Sequence, residues 1–359
     1  MFFYIGNNCE LLERASAGLF LDKGWTHGKA VWYKGYSTEC NLSESTDAII
    51  NGHQPRGIWA LIHYDGTKYN IHHSDLRGFP LYANGDEYTN IPNLNGFEFV
   101  YNNIDWSTDY TELSLNEVVD EVTSIFLENL KGFVKYNANV KLTVLATGGL
   151  DSTLAWAALD SVSTYDLVRT LGINCKEYDS TLIQHMNENH WAYKVINVNN
   201  SPTWNLTGFA AEVMTIRGYD MFNCICRTLG TTVYDLITPL DYMYFFLQRK
   251  NIRDRLNGNT TISTNLRKDL LSHLDSDYYM WHLDNNFHFS PFYDKRIPEL
   301  CVRLSIPDLI ENCKNGTVER LMLEKINIDF LSMVSRYKNY GNVMKNYDNN
   351  VARIQQQKS

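Results

Sequence analysis

The chain is short of positive charge. Its 32 Lys and Arg residues stand against 41 Asp and Glu, a formal net charge of −9, so the basic footprint that a nucleic-acid backbone demands is missing and a large DNA or RNA partner is disfavoured. Long apolar runs are missing too. No segment reaches the length needed to span a bilayer, and Met1-Phe-Phe-Tyr-Ile5 carries neither the basic region nor the apolar core of an export signal. A cytoplasmic protein without a membrane anchor is therefore expected. Paired cysteine spacings are lacking: Cys9, Cys40, Cys175, Cys224, Cys226, Cys301 and Cys313 are odd in number, scattered and show no C-x2-C spacing, so neither a zinc site nor a disulfide framework is expected. Cys224 and Cys226 fall in a predicted helix over 220–229, where residues two apart face different directions. His72 and His73 alternate across a predicted strand, and no histidine pair shows ligand spacing on a predicted helix. What remains is a globular composition, 44% hydrophobic and 20% charged over 359 residues, a length that suggests about two domains.

The most informative stretch is Leu142-Thr-Val-Leu-Ala146, then Thr147-Gly-Gly-Leu-Asp-Ser152, then Thr153-Leu-Ala-Trp-Ala-Ala158. It reads as a buried strand, a tight glycine turn and a helix start. Gly148 and Gly149 let the backbone approach a ligand and leave amide N–H groups uncovered. The helix expected from Ser152 aims its unpaired N–H groups and the positive end of its dipole at the same turn, which favours an anion. Asp151 would repel that anion unless a cation lay between them, so Mg²⁺ bridging carboxylate and phosphates is the natural partner. An ordinary strand-to-helix turn with two glycines is the bland alternative. No lysine follows the glycines, so the Gly-x4-Gly-Lys-Ser/Thr loop is not matched. The string resembles instead the Ser-Gly-Gly-x-Asp-Ser loop of the ATP pyrophosphatases, enzymes that cleave ATP between its α- and β-phosphates, with Thr147 in place of the first serine. That resemblance implies ATP and pyrophosphate held by Ala146, Thr147, Gly148, Gly149, Leu150, Asp151 and Ser152.

Around this stretch the chain divides. Residues 1–110 read as short strands over 29–33, 57–64, 69–73, 80–83 and 97–101, with Asp65-Gly66, Asn84-Gly85 and Asn95-Gly96 as hairpin signals and a helix over 10–23. Ser114-Leu-Asn-Glu117 forms a capping box ahead of Leu115, Val118, Val122, Ile125, Phe126 and Leu130 at helical spacing. Residues 111–341 then alternate: strands over 142–146, 167–173, 193–198 and 232–237, with helices from Ser152, over 180–188 and ending near Leu229. Such alternation implies a parallel sheet covered by helices, with ligands at the carboxyl ends of its strands. The part from Asp241 to about Tyr340 reads as mainly helical, and 342–359 as a polar tail.

Four further segments are similar to the asparagine-synthetase-like amide ligases. Ser290-Pro-Phe-Tyr-Asp-Lys-Arg-Ile-Pro-Glu-Leu300 resembles that family's Pro-Phe-Leu-Asp-x-Arg-x-x-Glu segment, and Ser335-Arg-Tyr-Lys338 with Gly341 its Arg-x-Lys-x-x-Phe/Gly segment. Gly57-Ile-Trp-Ala-Leu-Ile-His-Tyr-Asp65 and Ser74-Asp-Leu-Arg-Gly-Phe-Pro-Leu-Tyr82 are similar to segments of its amino-terminal glutaminase domain. The resemblance implies an α+β amino-terminal unit of the Ntn-type αββα kind and a carboxy-terminal α/β ATP-pyrophosphatase domain with a helical extension. The departures are informative. Position 2 is Phe2 where the family's glutaminases have a nucleophilic cysteine, so the first unit is expected to be inactive, as in β-lactam synthetases. The counterpart of the family's second acidic loop is Leu236-Ile-Thr-Pro-Leu-Asp241-Tyr242, which keeps only the acid. Asp241 thus has two readings, a second Mg²⁺ ligand or a helix cap.

The resemblance implies adenylation of a small-molecule or peptide carboxylate by ATP, followed by amide formation with ammonia or a substrate amine. Asp151 would serve Mg²⁺ and Lys338 would face the reacting α-phosphate, or else be an ordinary surface lysine. Leu171 and Gly172 match the backbone that meets adenine, and Phe292, Asp294 and Arg296 a structural segment in which the last two can pair. Two rivals remain: an inactive nucleotide-binding or scaffold homologue, and an RNA- or base-modifying ATP pyrophosphatase. The latter calls for a catalytic cysteine pair and a basic surface, which the scattered cysteines and the charge of −9 do not offer.

Overall fold

A computed structural model describes residues 3–6, 19–21, 25–28, 30–90, 95–101, 104–137, 142–146, 149–162, 166–169, 193–194, 204–206, 208, 210–228, 260–274 and 288–334. The strands are β1 (Phe3–Ile5), β2 (Leu19–Leu21), β3 (Thr26–Gly28), β4 (Val31–Ser37), β5 (Gly57–Tyr64), β6 (Tyr69–His73), β7 (Tyr82–Asn84), β8 (Glu87–Thr89), β9 (Glu98–Phe99), β10 (Leu142–Ala146), β11 (Asp166–Arg169), β12 (Tyr193–Lys194), β13 (Trp204–Leu206) and β14 (His288–Phe289). The helices are α1 (Thr46–Ile50), α2 (Leu115–Tyr136), α3 (Leu150–Asp160), α4 (Ala211–Met214), α5 (Tyr219–Thr228), α6 (Thr260–His273), α7 (Arg296–Cys301), α8 (Ile306–Asn315) and α9 (Thr317–Asn327), with a 3-10 turn over Ile328–Met333. The protein is thus of mixed α and β class. No described helix is long and apolar enough to cross a membrane.

Two antiparallel sheets come first, one ordered β2-β1-β8-β7-β9 and the other β3-β4-β5-β6. Alternation along β5 explains their layering: Ile58, Ala60 and Ile62 belong to the main core with Phe3 and Ile5, while Trp59 and Leu61 join Val31, Leu42 and Ile49 of α1 in a smaller core. Both faces of that sheet are therefore covered. The Asp65-Gly66 hairpin forms as expected, with the Asp65 carboxylate accepting from the backbone N–H groups of Thr67 and Lys68. The expected helix over 10–23 is contradicted at Leu19–Leu21, which form β2, whose Leu21 pairs with Phe3 of β1; the rest of that span lies outside the described residues. β4 runs on to Ser37 beyond the expected 33, because its later residues pair with the start of β5.

Helix α2 joins these layers to the remainder. Its capping box is present, with Glu117 N–H donating to Ser114 Oγ at 3.3 Å and Ser114 N–H donating to Glu117 Oε2 at 2.8 Å. One face buries Val118, Val122, Phe126, Leu130 and Phe133. Gly132 permits the close crossing, since a Cβ there would lie 2.0 Å from the Thr38 carbonyl oxygen. Phe133 stacks on Phe289 at 4.0 Å, and Tyr36 meets both rings edge-on.

The second part holds a five-stranded sheet, order β12-β11-β10-β13-β14, with every pairing parallel. β10 lies at its centre, as befits its apolar run. Two expectations change here. β13 and β14 were not anticipated, and β14 places a strand in the part read as mainly helical; segments of two or three residues carry no periodic signal and depend on long-range pairing. Helix α3 begins at Leu150 rather than Ser152, because Gly149 takes the extended N-cap conformation (φ −81, ψ 159). From Leu150 to Leu159 every α3 side chain except Asp151 is buried, so this helix is core rather than surface. It packs against β10 and α9, and Trp156 meets Phe330 edge-on at 5.2 Å. The expected strands over 167–173 and 193–198 are described as β11 and β12 only, and the expected helix over 180–188 and strand over 232–237 lie outside the described residues.

Candidate functional site

The central parallel strand β10 ends at Ala146 and α3 begins at Leu150, so the first residues of α3 follow the carboxyl end of the central strand, where open parallel sheets hold ligands. Asp151 is the acidic residue of that first turn. Its side chain is 31% exposed, whereas the flanking Leu150 and Ser152 are buried. The Ser152 hydroxyl donates to the Gly149 carbonyl at 3.2 Å, tightening the helix start and leaving the hydroxyl oxygen able to accept. Gly208, just past β13, lies against the same turn. A Cβ there would stand 2.4 Å from Asp151 Cβ and 2.7 Å from Ser152 N, so this approach admits only glycine.

Facing Asp151 is Arg217, whose Nη2 donates to Asp151 Oδ1 at 2.5 Å. Its Nε donates to Glu319 Oε1 at 3.0 Å, and that same oxygen accepts from the Thr215 hydroxyl at 2.6 Å. The backbone carrying Arg217 is constrained. Ala210 and Ile216 adopt left-handed φ values of 62° and 54°, uncommon for residues with a Cβ and unusual for a β-branched one. The conformation is held from α8: Asn312 Nδ2 donates to the Thr215 carbonyl at 2.6 Å and Cys313 Sγ to the Ile216 carbonyl at 2.9 Å. Gly316 (φ +62) ends α8 and opens α9, and a Cβ there would stand 2.8 Å from Arg217 Cδ. The α4–α5 turn and the α8–α9 turn thus interlock around one guanidinium.

Glu319 has no exposure, and its Oε2 lacks a hydrogen-bond partner among the described residues. Burial is the main influence on this carboxyl and raises its pKa; Arg217 opposes the rise and Asp151 adds to it. For Arg217 burial alone would favour the neutral form, but Asp151, Glu319 and Glu212 outweigh it and keep the guanidinium firmly charged.

Of the residues expected at the site, Ala146, Gly149, Leu150, Asp151 and Ser152 are brought together at the β10–α3 junction. Thr147, Gly148, Leu171, Gly172, Asp241 and Lys338 lie outside the described residues. Arg217, Glu319 and Gly208 are new. Glu319 had a signal in the sequence: it shares a helical face with Met322 and Leu323, at spacings of three and four, so a carboxylate there is buried and needs a cation. Nothing in the sequence pointed to Arg217 as that cation.

As a metal site the described residues supply one carboxylate, and no group of three or more His, Cys, Asp or Glu side chains is assembled among them. That donor set suits Mg²⁺, which takes one or two carboxylates and completes its shell with phosphate oxygens and water. Cys224 and Cys226 are in no disulfide and are buried in α5. Asp294 and Arg296 form the expected pair, Nη2 to Oδ2 at 2.7 Å, and Arg296 also reaches Glu128 at 3.0 Å. A cleft of about 770 Å³ near β1 and the β5–β6 hairpin is lined by Ile5, Gly6, His63, His72 and Tyr88 among others, with no cysteine or serine among its described lining residues.

The chain matches no protein-family model, and comparison with curated proteins finds no significant match.

Proposed function

We propose that the protein is an ATP-dependent carbon–nitrogen ligase of the asparagine-synthetase-like type, forming AMP and pyrophosphate, and that its amino-terminal glutaminase-like unit is inactive. The observation that carries this reading is the position of Asp151 in the first turn of α3, at the carboxyl end of the central parallel strand, with a glycine pressed against it. In this reading residues 111–341 form the ATP-pyrophosphatase domain and residues 1–110 the glutaminase-like unit, whose two antiparallel sheets and outer helix α1 suit an αββ layering.

The first turn of α3 would hold the pyrophosphate portion through helix N-terminal amides and the Ser152 hydroxyl, with Asp151 as ligand of a Mg²⁺ ion that neutralises phosphate charge. Asp241 would be the second carboxylate. A substrate carboxylate oxygen attacks the α-phosphorus and pyrophosphate departs; an amine nitrogen then attacks the acyl carbon and AMP departs with the carboxylate oxygen. Lys338, by resemblance, would lie where negative charge develops in both steps. A catalytically inactive nucleotide-binding homologue is the second reading, favoured by the engagement of Asp151 with Arg217.

Calorimetry of ATP with Mg²⁺ on the parent and on Asp151→Ala tests the site. Loss of affinity in the variant is expected, and equal affinity refutes the role of Asp151. Pyrophosphate release from ATP with candidate acids separates ligase from inactive homologue.

A further inference from the structure

The carboxylate assigned above to a divalent cation already has a cationic partner. Arg217 Nη2 lies 2.5 Å from Asp151 Oδ1, while Nε lies 3.0 Å from Glu319 Oε1. Glu212 is a third acid acting on the same guanidinium, and a Cβ on Gly218 would meet its carboxyl oxygen at 2.3 Å. One guanidinium therefore faces three acidic side chains. Glu319 is fully buried, so one edge of Arg217 is anchored inside the protein while the other meets the partly exposed Asp151.

We propose that Arg217 is a positioning residue that competes with a divalent cation for the Asp151 carboxylate, so that the cation binds there tightly only together with a polyphosphate. This rests on the reading of the first turn of α3 as part of a polyphosphate site. A cation alone must break a short charge-assisted pair and leave a guanidinium donor unmatched. Separation from Asp151 does not strand the arginine, because Nε retains Glu319 and Glu212 remains close. A polyphosphate arriving with the cation supplies oxygens to the vacated donor, and the planar fork of arginine can hold a carboxylate on one edge and a phosphate on another. Cation and polyphosphate thereby strengthen each other's binding, and by linkage the enhancement is reciprocal.

Mn²⁺ titrated into the full chain and followed by electron paramagnetic resonance, with and without inorganic pyrophosphate, tests this. The proteins compared are the parent, Asp151→Asn, Arg217→Gln and the double variant Arg217→Gln/Glu319→Gln. The double variant removes the buried acid along with its partner and decides the matter if the single one does not fold. In the parent, pyrophosphate should raise Mn²⁺ affinity by roughly 5- to 150-fold, the usual range of coupling between sites. Arg217→Gln should bind Mn²⁺ alone about tenfold more tightly than the parent, with a smaller enhancement by pyrophosphate, a tenfold change being a modest share of that coupling. A purely structural role for Arg217 moves the affinity the other way. Mn²⁺ affinity in the arginine variants equal to or below that of the parent overturns the inference while leaving the turn as a binding site. Parent binding that ignores Asp151→Asn overturns the reading of the turn, and the inference with it.

Discussion

Gly208→Ala perturbs the fit over the first turn of α3 without removing any charged group. The added Cβ would stand 2.4 Å from Asp151 Cβ, 2.5 Å from the Asp151 carbonyl carbon and 2.7 Å from Ser152 N. Non-bonded carbons rest about 3.5–4.0 Å apart, so the loop and the helix end must separate by roughly 1 Å. A side-chain rotation cannot absorb this. Two of the three atoms are backbone in the first turn of α3, which is anchored by the Thr153 N–H bond to Gly149 and by buried Leu150 and Leu154. Overpacking of this kind costs about 1–3 kcal/mol. A displacement of about 1 Å near reacting groups lowers turnover by on the order of 100-fold. Urea denaturation should show a lower midpoint at unchanged slope, and pyrophosphate release with the cognate acid should fall accordingly. Stability within about 0.5 kcal/mol of the parent, the ordinary range for a surface change, together with unaltered nucleotide affinity, would refute the close approach.

Burial raises the Glu319 pKa in the folded protein, so folding takes up a proton there; the associated stability is present below the usual carboxylate range and is lost as pH rises through the raised value. Glu319→Gln should flatten that decline in denaturation measured across this window without divalent cations, and an unchanged pH slope would count against it. Arg296→Ala leaves the Asp294 carboxylate, 3% exposed, without its guanidinium, and should destabilise by about 3–5 kcal/mol. Lys325→Ala, which breaks an exposed pair with Asp120, should cost less than about 1 kcal/mol in the same denaturation series. Lys338→Ala should leave ATP affinity nearly intact and cut pyrophosphate release by roughly 100- to 1000-fold if the lysine stabilises developing charge. Turnover at the parent rate would make it a surface residue.

The sequence by itself determined the elements whose causes are local. The apolar run Leu142–Ala146 became the central strand, the Ser114 and Glu117 box opened α2, and alternation with Asp65-Gly66 set the β5–β6 hairpin. Each depends on neighbours a few residues away, through backbone sterics, capping or side-chain period. The Asp294–Arg296 pair was legible for the same reason. Tertiary structure alone decided β13 and β14, too short to show a period and defined only by their partners across the sheet. It also decided which glycine closes over Asp151 and which cation Asp151 meets. Arg217 and Glu319 lie 102 residues apart, and the worth of their contact is set by how completely packing removes both from water. A buried glutamate on an apolar helix face announces from sequence that a cation is needed. Which cation arrives depends on two distant turns interlocking, and no local pattern encodes that.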